Sequence, residues 1–204
     1  LVGSEMCIRD SYSLAARLML GKSVGDRPQK FFLGGNSQMM IFSDTQTEGR
    51  DDSGFYAQRV LDYDNTSILE DVYFSEYVFP LRGARYRERV GENVAVANFE
   101  FRFPFVNYVD VSFPARIRFG NIFGHLFVDV GAAWDSSDEF NNSELVRNKY
   151  GLTDPEASPI LTTFGIGTKI FTPFALIRID TAWDKYPSGG YSKPQYIISF
   201  GYDW

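Results

Sequence analysis

The feature that most constrains this chain is a strict alternation of apolar and polar residues, repeated in segments of about ten residues along its length. Successive side chains of a β-strand point to opposite sides, so a period of two means strands with one apolar and one polar face. The segment nearest the C-terminus is the clearest. Tyr196, Ile198, Phe200, Tyr202 and Trp204 share one face, and Ile197, Ser199, Gly201 and Asp203 share the other. Before it, Ala175, Ile177, Ile179, Thr181 and Trp183 alternate with Leu176, Arg178, Asp180 and Ala182. Four further stretches read the same way: Ile160–Ile170, His125–Trp134, Val94–Phe103 and Tyr12–Gly21. A face that carries Arg178 and Asp180 is difficult to bury in a soluble sandwich, which is the competing fold for half-apolar strands. It suits a wet lumen whose outer wall meets lipid. Ten residues is also about the length at which a tilted strand crosses a bilayer.

The connections fit the same reading. Lys22 to Gly91 is very long, Phe105 to Phe123 is intermediate, and Asp135 to Pro159 is long and polar. Phe171 to Phe174 is tight and contains Pro173, and Lys185 to Lys193 is of middle length. Short turns at one rim and long loops at the other are the outer-membrane pattern. With the C-terminus on the periplasmic side, the long loops lie outside the cell. The chain therefore reads as all-β, an antiparallel transmembrane β-barrel in the bacterial outer membrane. Six such strands do not close, since the smallest bacterial barrels have about eight and lipid does not tolerate an open edge. Residues 12–204 are read as the C-terminal part of a larger barrel, with a plug-type loop over about 22–91. Residues 1–11 show neither a period nor a signal-peptide layout. They read as a non-native or disordered leader, of the kind a translated sequencing adapter leaves.

Composition excludes several function classes. Aromatics reach 17% and glycines number 18, yet mean hydropathy is slightly negative, as half-buried strands require. No stretch is long and apolar enough for a transmembrane helix, which leaves a barrel untouched. The net charge is −6 with scattered Lys and Arg, so there is no basic stripe for nucleic acid. One Cys (Cys7) and one His (His125) exclude a disulfide framework and a multi-histidine metal site. No G-x-S-x-G elbow accompanies His125, so no enzyme and no cofactor are expected. Gly165-Ile166-Gly167 lacks the third glycine and the following helix of a dinucleotide fingerprint. Asp135, Asp138 and Glu139 lack EF-hand spacing and read as a solvated loop. Arg85, Arg87, Glu88 and Arg89 read as plug or loop surface, with lipopolysaccharide contact as the alternative.

Four segments, in order, carry a family resemblance: Phe31-Phe32-Leu33-Gly34-Gly35, Leu81-Arg82-Gly83-Ala84, Asn98-Phe99-Glu100-Phe101-Arg102-Phe103-Pro104, and Phe127-Val128-Asp129-Val130-Gly131-Ala132-Ala133-Trp134. Together with the aromatic end at Trp204 they resemble the BamA/TamA superfamily, the bacterial surface antigen barrels. The resemblance covers about residues 12 to 204. It implies a barrel of about sixteen strands, of which these are the last six. It implies an Arg-Gly loop motif folded into the lumen, with Arg82 and Gly83 as that pair and Glu100 and Asp129 as its acidic partners on the wall. The alternation independently puts Glu100 and Asp129 on lumen faces. A guanidinium grips carboxylates with two parallel hydrogen bonds, and Gly83 allows the loop tip a positive φ. Gly165 and Gly167 are expected to leave room for the plug. The chain departs from the family at Ala84, where an aromatic usually follows the glycine, with Tyr86 two residues on.

The implied function is insertion of outer-membrane proteins. It works by strand templating at a terminal strand marked by Tyr196, Ile198, Phe200, Tyr202 and Trp204. The implied partners are unfolded outer-membrane clients, outer-membrane lipid and lipopolysaccharide, and periplasmic or lipoprotein assembly factors. An exporter of the two-partner secretion type and a passive channel or receptor are the alternatives.

Overall fold

The computed structural model of the chain describes residues 2–9, 12–26, 28–35, 39–43, 75–84, 88–106, 109–111, 117–119, 122–152, 154–171 and 176–201. Tyr202 and Trp204, and with them the end of the terminal aromatic face, lie outside these residues, as do Arg85, Tyr86 and Arg87. The strands, in chain order, are β1 (Val2–Arg9), β2 (Tyr12–Lys22), β3 (Lys30–Leu33), β4 (Met39–Ser43), β5 (Ser75–Phe79), β6 (Arg89–Gly91), β7 (Asn93–Val106), β8 (Val109–Val111), β9 (Ile117–Phe119), β10 (Ile122–Trp134), β11 (Ile160–Phe171), β12 (Leu176–Lys185) and β13 (Gln195–Gly201). Among the described residues one α-helix, α1 (Ser143–Tyr150), follows a 3-10 turn at Ser137–Phe140.

Eight strands form one sheet in the order β1-β2-β7-β10-β11-β12-β13-β4, and every neighbouring pair in it is antiparallel. Its six long central strands coincide with the six alternating segments of the sequence. The sheet inverts the usual distribution of polarity. Leu14, Leu18, Phe99, Leu126, Val128, Ile166, Ile179 and Tyr196 are exposed on one face, while Asn98, Glu100, His125, Asp129, Lys169, Arg178, Asp180 and Ser199 are buried on the other. Apolar side chains outside and charges inside are what a wall between lipid and an aqueous lumen requires. Among the described residues no helix is long and apolar enough to cross a membrane.

Two edges differ from a plain hairpin series. Val2–Arg9, where the sequence shows no period, pairs with β2. At the other end β4, a piece of the long loop, pairs with the outer edge of β13 (Ile198 opposite Phe42, Phe200 opposite Met39) and does not enter the lumen.

The rest of the described loop folds into a small sheet, β5-β3-β6. In it β3 runs parallel to β5 and antiparallel to β6. This sheet covers the apolar upper part of the inner wall. Leu33 and Leu81 from the loop pack with Met19, Val94, Val96, Ala133 and Leu161 from the wall, and Phe31 and Phe79 flank them. Ala84 lies in the same cluster, 1% exposed. A small residue therefore closes against the wall directly after the Arg-Gly pair.

The Asp135–Pro159 connection is more ordered than its polarity implies. Asn142 caps α1 through Glu144 N at 3.0 Å, and Gly151 ends it with φ 63°. Val146 and Tyr150, one turn apart, turn inward to pack with Leu152 and Ala157. The Tyr150 hydroxyl donates to Val90 O at 2.8 Å and accepts from Val90 N at 3.2 Å, tying the helix to β6. Of the three acids read as solvated, Asp138 is exposed, but Asp135 and Glu139 are engaged in ion pairs. Asp135 meets Lys149 at 2.8 Å and Lys30 at 3.1 Å, and Glu139, buried, takes the Lys149 ammonium at 3.1 Å. Nor is the Glu88–Arg89 pair on the surface: both are buried, and the Arg89 guanidinium lies 4.9 Å above the Tyr150 ring.

This ionic knot sets a pH window. Burial alone would push the Asp135 carboxyl up, but hydrogen bonding and charge from Lys149 and Lys30 outweigh it and hold it below its ordinary 3.8. Burial likewise depresses Lys149, but Tyr150, Asp135 and Glu139 overcome it and raise Lys149 above its ordinary 10.5. A lowered acid contributes stability above its unfolded pKa and loses it as pH falls through the folded one; a raised base does the converse. The knot is therefore intact between these two values. Protease cutting in the 135–159 loop should stay flat from about pH 5 to 9, rise below about pH 4, and rise again in strong alkali as Lys149 loses its proton. Asp135→Asn should produce the rise at neutral pH.

Candidate functional site

The Arg-Gly tip is a tight turn. Leu81 N donates to Gly35 O at 2.9 Å and Ala84 N to Leu81 O at 3.2 Å. Gly83, third of the four turn residues, has φ 82°, the value a type II turn demands there and a side chain resists. Its back is also closed: a β-carbon at Gly83 would lie 2.7 Å from Ala182 Cβ on β12. The turn leaves Arg82 at its apex, pointing into the wall and 5% exposed.

There the guanidinium bridges two strands. Its Nε donates to Asp129 Oδ2 at 2.6 Å and one terminal nitrogen to Asp129 Oδ1 at 2.7 Å. The other terminal nitrogen donates to Glu100 Oε2 at 2.8 Å. Glu100 on β7 faces Phe127 on β10, and Asp129 follows two residues along β10. Pleat and register thus set the two carboxylates diagonally at the spacing of one guanidinium fork. The Phe127 ring forms the floor, 3.8 Å from the guanidinium carbon, a contact of cation–π type. Burial works against the charge on Arg82, but Asp129 and Glu100 more than offset it and raise its pKa further.

The glycines of β11 make room for the wall and not for the plug. Gly165 faces Phe127 and Gly167 faces His125. A β-carbon at Gly165 would run into the Phe127 ring and the Thr181 carbonyl, and one at Gly167 into Asp180 and His125. The bare backbone lets the Phe127 ring lie flat, and Arg82 rests on that ring.

Glu100 also serves cations that the sequence reading did not connect to it. Its Oε1 accepts from Arg102 Nε at 2.7 Å and from Lys169 Nζ. Its Oε2, shared with Arg82, accepts from Arg178 at 3.2 Å. Lys169 and Arg178 stand directly opposite one another across β11 and β12, a like-charge pairing that destabilises a sheet unless an acid lies between. Arg178 further meets Asp180 Oδ2 at 2.7 Å, and His125 Nε2 meets Asp180 Oδ1 at 2.8 Å. His125 is fully buried in this network, a structural placement. The alternation pattern puts these groups on the lumen face, but only the register brings them to one carboxylate. On the terminal strand, Tyr196 is exposed on the outer face, with Ile198 and Phe200 half-buried on it.

Among the described residues no group of three or more His, Cys, Asp or Glu is placed to hold a metal ion. What the arrangement can do is hold a loop to a wall through one buried cation. The two acids should therefore respond differently to neutralisation. Asp129→Asn removes the two-point grip and should free the loop, seen as protease cutting near residue 84, with the sheet intact. Glu100→Gln leaves Arg102, Lys169 and Arg178 crowded without their acid and should lower the unfolding midpoint in urea, a loss of about 3–5 kcal/mol. Equal behaviour of the two variants in both assays would refute this division.

The domain model of the Omp85 superfamily matches residues 9–203, a span that takes in the six long strands, the loop and the ionic cluster. No curated protein and no solved structure gives a match. Proteins of this superfamily are outer-membrane β-barrels that insert or secrete other proteins, and the BamA/TamA barrels that the sequence resembles fall within it. With an open antiparallel sheet that turns charge inward and apolar surface outward, and a family match over nearly its whole length, the chain belongs to the Omp85 superfamily.

Proposed function

We propose that this chain is the C-terminal part of an outer-membrane insertase barrel of the BamA/TamA kind, with Arg82 and Gly83 as a loop clasp and Glu100 and Asp129 as its seat. The observation that carries the reading is the buried three-bond grip of Arg82 on Asp129 and Glu100. A loop anchored this way keeps its apolar cluster against the inner wall, which argues against a passive open channel. Templating is favoured by the terminal strand. The outer edge of β13 takes up a strand, β4, in antiparallel register, so the edge is competent for β-augmentation. A client strand arriving there gains backbone hydrogen bonds and then moves into lipid, with no covalent chemistry. Tyr196, Ile198 and Phe200 lie on the outward face of that strand, and the sequence alternation continues the pattern to Tyr202 and Trp204. The expected partners are unfolded outer-membrane proteins, the surrounding lipid and lipopolysaccharide, and periplasmic or lipoprotein assembly factors. A lipid-embedded sheet needs closed edges, so further strands complete the barrel around the 12–204 unit.

The test reconstitutes the complete protein in liposomes, with and without Arg82→Ala, and follows the folding rate of a denatured outer-membrane barrel added from outside. Acceleration by the parent should fall by about tenfold in the variant, the effect of losing one buried charge pair's contribution to a working conformation. Acceleration that survives the substitution removes the clasp from the mechanism. No acceleration by the parent favours the exporter reading.

A further inference from the structure

Breaking a buried ion pair is normally opposed because it strands an uncompensated charge. At Asp129, which is buried and gives both oxygens to Arg82, losing the loop arginine does this; at Glu100 the wall is built so that it does not. Glu100 Oε1 is held by wall residues alone, Arg102 and Lys169. Its Oε2 is shared between the loop and the wall: Arg82 sits at 2.8 Å and Arg178 at the longer 3.2 Å. Arg178 meanwhile lies against Asp180 at 2.7 Å, in a contact not aligned as a hydrogen bond. It is 3% exposed. Arg178 thus stands between two carboxylates, with Arg82 occupying the better position on one of them.

We propose that Arg178 is the stand-in cation of the clasp on its Glu100 side: when Arg82 withdraws, Arg178 closes onto the same Glu100 oxygen, and this exchange lowers the barrier to opening the loop. The inference rests on the clasp reading above and adds the group that lets the clasp open. Two guanidinium groups on one carboxylate oxygen repel each other, so Arg178 weakens the hold on Arg82 while the loop is docked. It then compensates Glu100 once the loop is gone. Asp180 sets the balance by drawing Arg178 away from Glu100, with His125 on its other oxygen. Arg178 is in this sense a positioning residue, acting on the loop through Glu100. It is carried on β12, the strand paired with β13, so each exchange takes place one strand from the edge offered to a client.

The direction of the effect separates this from a structural role. A merely structural Arg178 would loosen the loop when removed; a stand-in would tighten it. The complete protein in liposomes, with Cys7→Ser and Ala84→Cys, reports docking through the rate at which a water-soluble maleimide labels residue 84, which is buried when the loop is seated. Arg178→Gln should slow labelling by about fivefold or more, and Asp180→Asn should speed it by a similar factor, the range of ordinary coupling between contacting groups. Arg178→Lys should return the rate toward that of the parent. Faster labelling in Arg178→Gln, or no change in either variant, overturns the proposal. Should Arg178→Gln fail to fold, as shown by loss of heat-resistant migration in gels, the Asp180→Asn and Arg178→Lys rates still decide it. Labelling of the parent at residue 84 as fast as at an exposed control, Ser188→Cys, would instead show an undocked loop and sink the clasp itself.

Discussion

A single guanidinium, buried in the wall of a barrel, holds the loop side of this structure to its sheet side. Arg82 is a cation that does not deprotonate, placed where water is scarce, so its carboxylates are a condition of its being there. A lysine would satisfy the charge but not the geometry. The fork must reach two oxygens of Asp129 and one of Glu100 at once, and only a planar group with donors on several edges does so. The turn at Leu81–Ala84, the leucines behind it and the ring of Phe127 beneath it all fix where that plane lies.

The wall shows the same dependence from the other side. Its inner face carries more formal charge than a protein interior normally admits, and it is stable because the charges are arranged around shared acids. Glu100 is the hub, reached by cations from the loop, β7, β11 and β12. The outer face needs no such arrangement, because lipid replaces the core that a soluble sheet would have to build.

The six long strands were legible because a period of two survives at the level of single residues, and because wet and oily faces differ so sharply in a barrel. Glu100 and Asp129 were legible as lumen residues for the same reason, and their link to Arg82 came through resemblance. Other features depend on register or on distant pairing, which a linear pattern does not carry. Lys169 and Arg178 converge on Glu100 only because β11 and β12 are in one particular register. The glycines at 165 and 167 looked like space for the plug, whereas their room is taken by Phe127, His125 and Asp180. Helix α1 was hidden in a polar stretch because its inward face is just Val146 and Tyr150, too few for a visible period.

The parallel pairing of β3 with β5 has a consequence for how this loop can vary. It joins Lys30 to Ser75 and Leu33 to Phe79 at the base of the tip, so the placement of Arg82 is settled by local hydrogen bonds and packing, whatever lies between the two strands. Closing a longer segment across that base costs only a logarithmic entropy, about 0.6 kcal/mol for each doubling of length. Insertions and deletions there are therefore nearly free with respect to the clasp. They would change how far the chain reaches toward the edge of β13, where β4 now lies, and leave the anchor in the lumen untouched. One part of the loop is thus fixed by chemistry while its neighbour is open to drift, and variation among relatives should concentrate between β3 and β5.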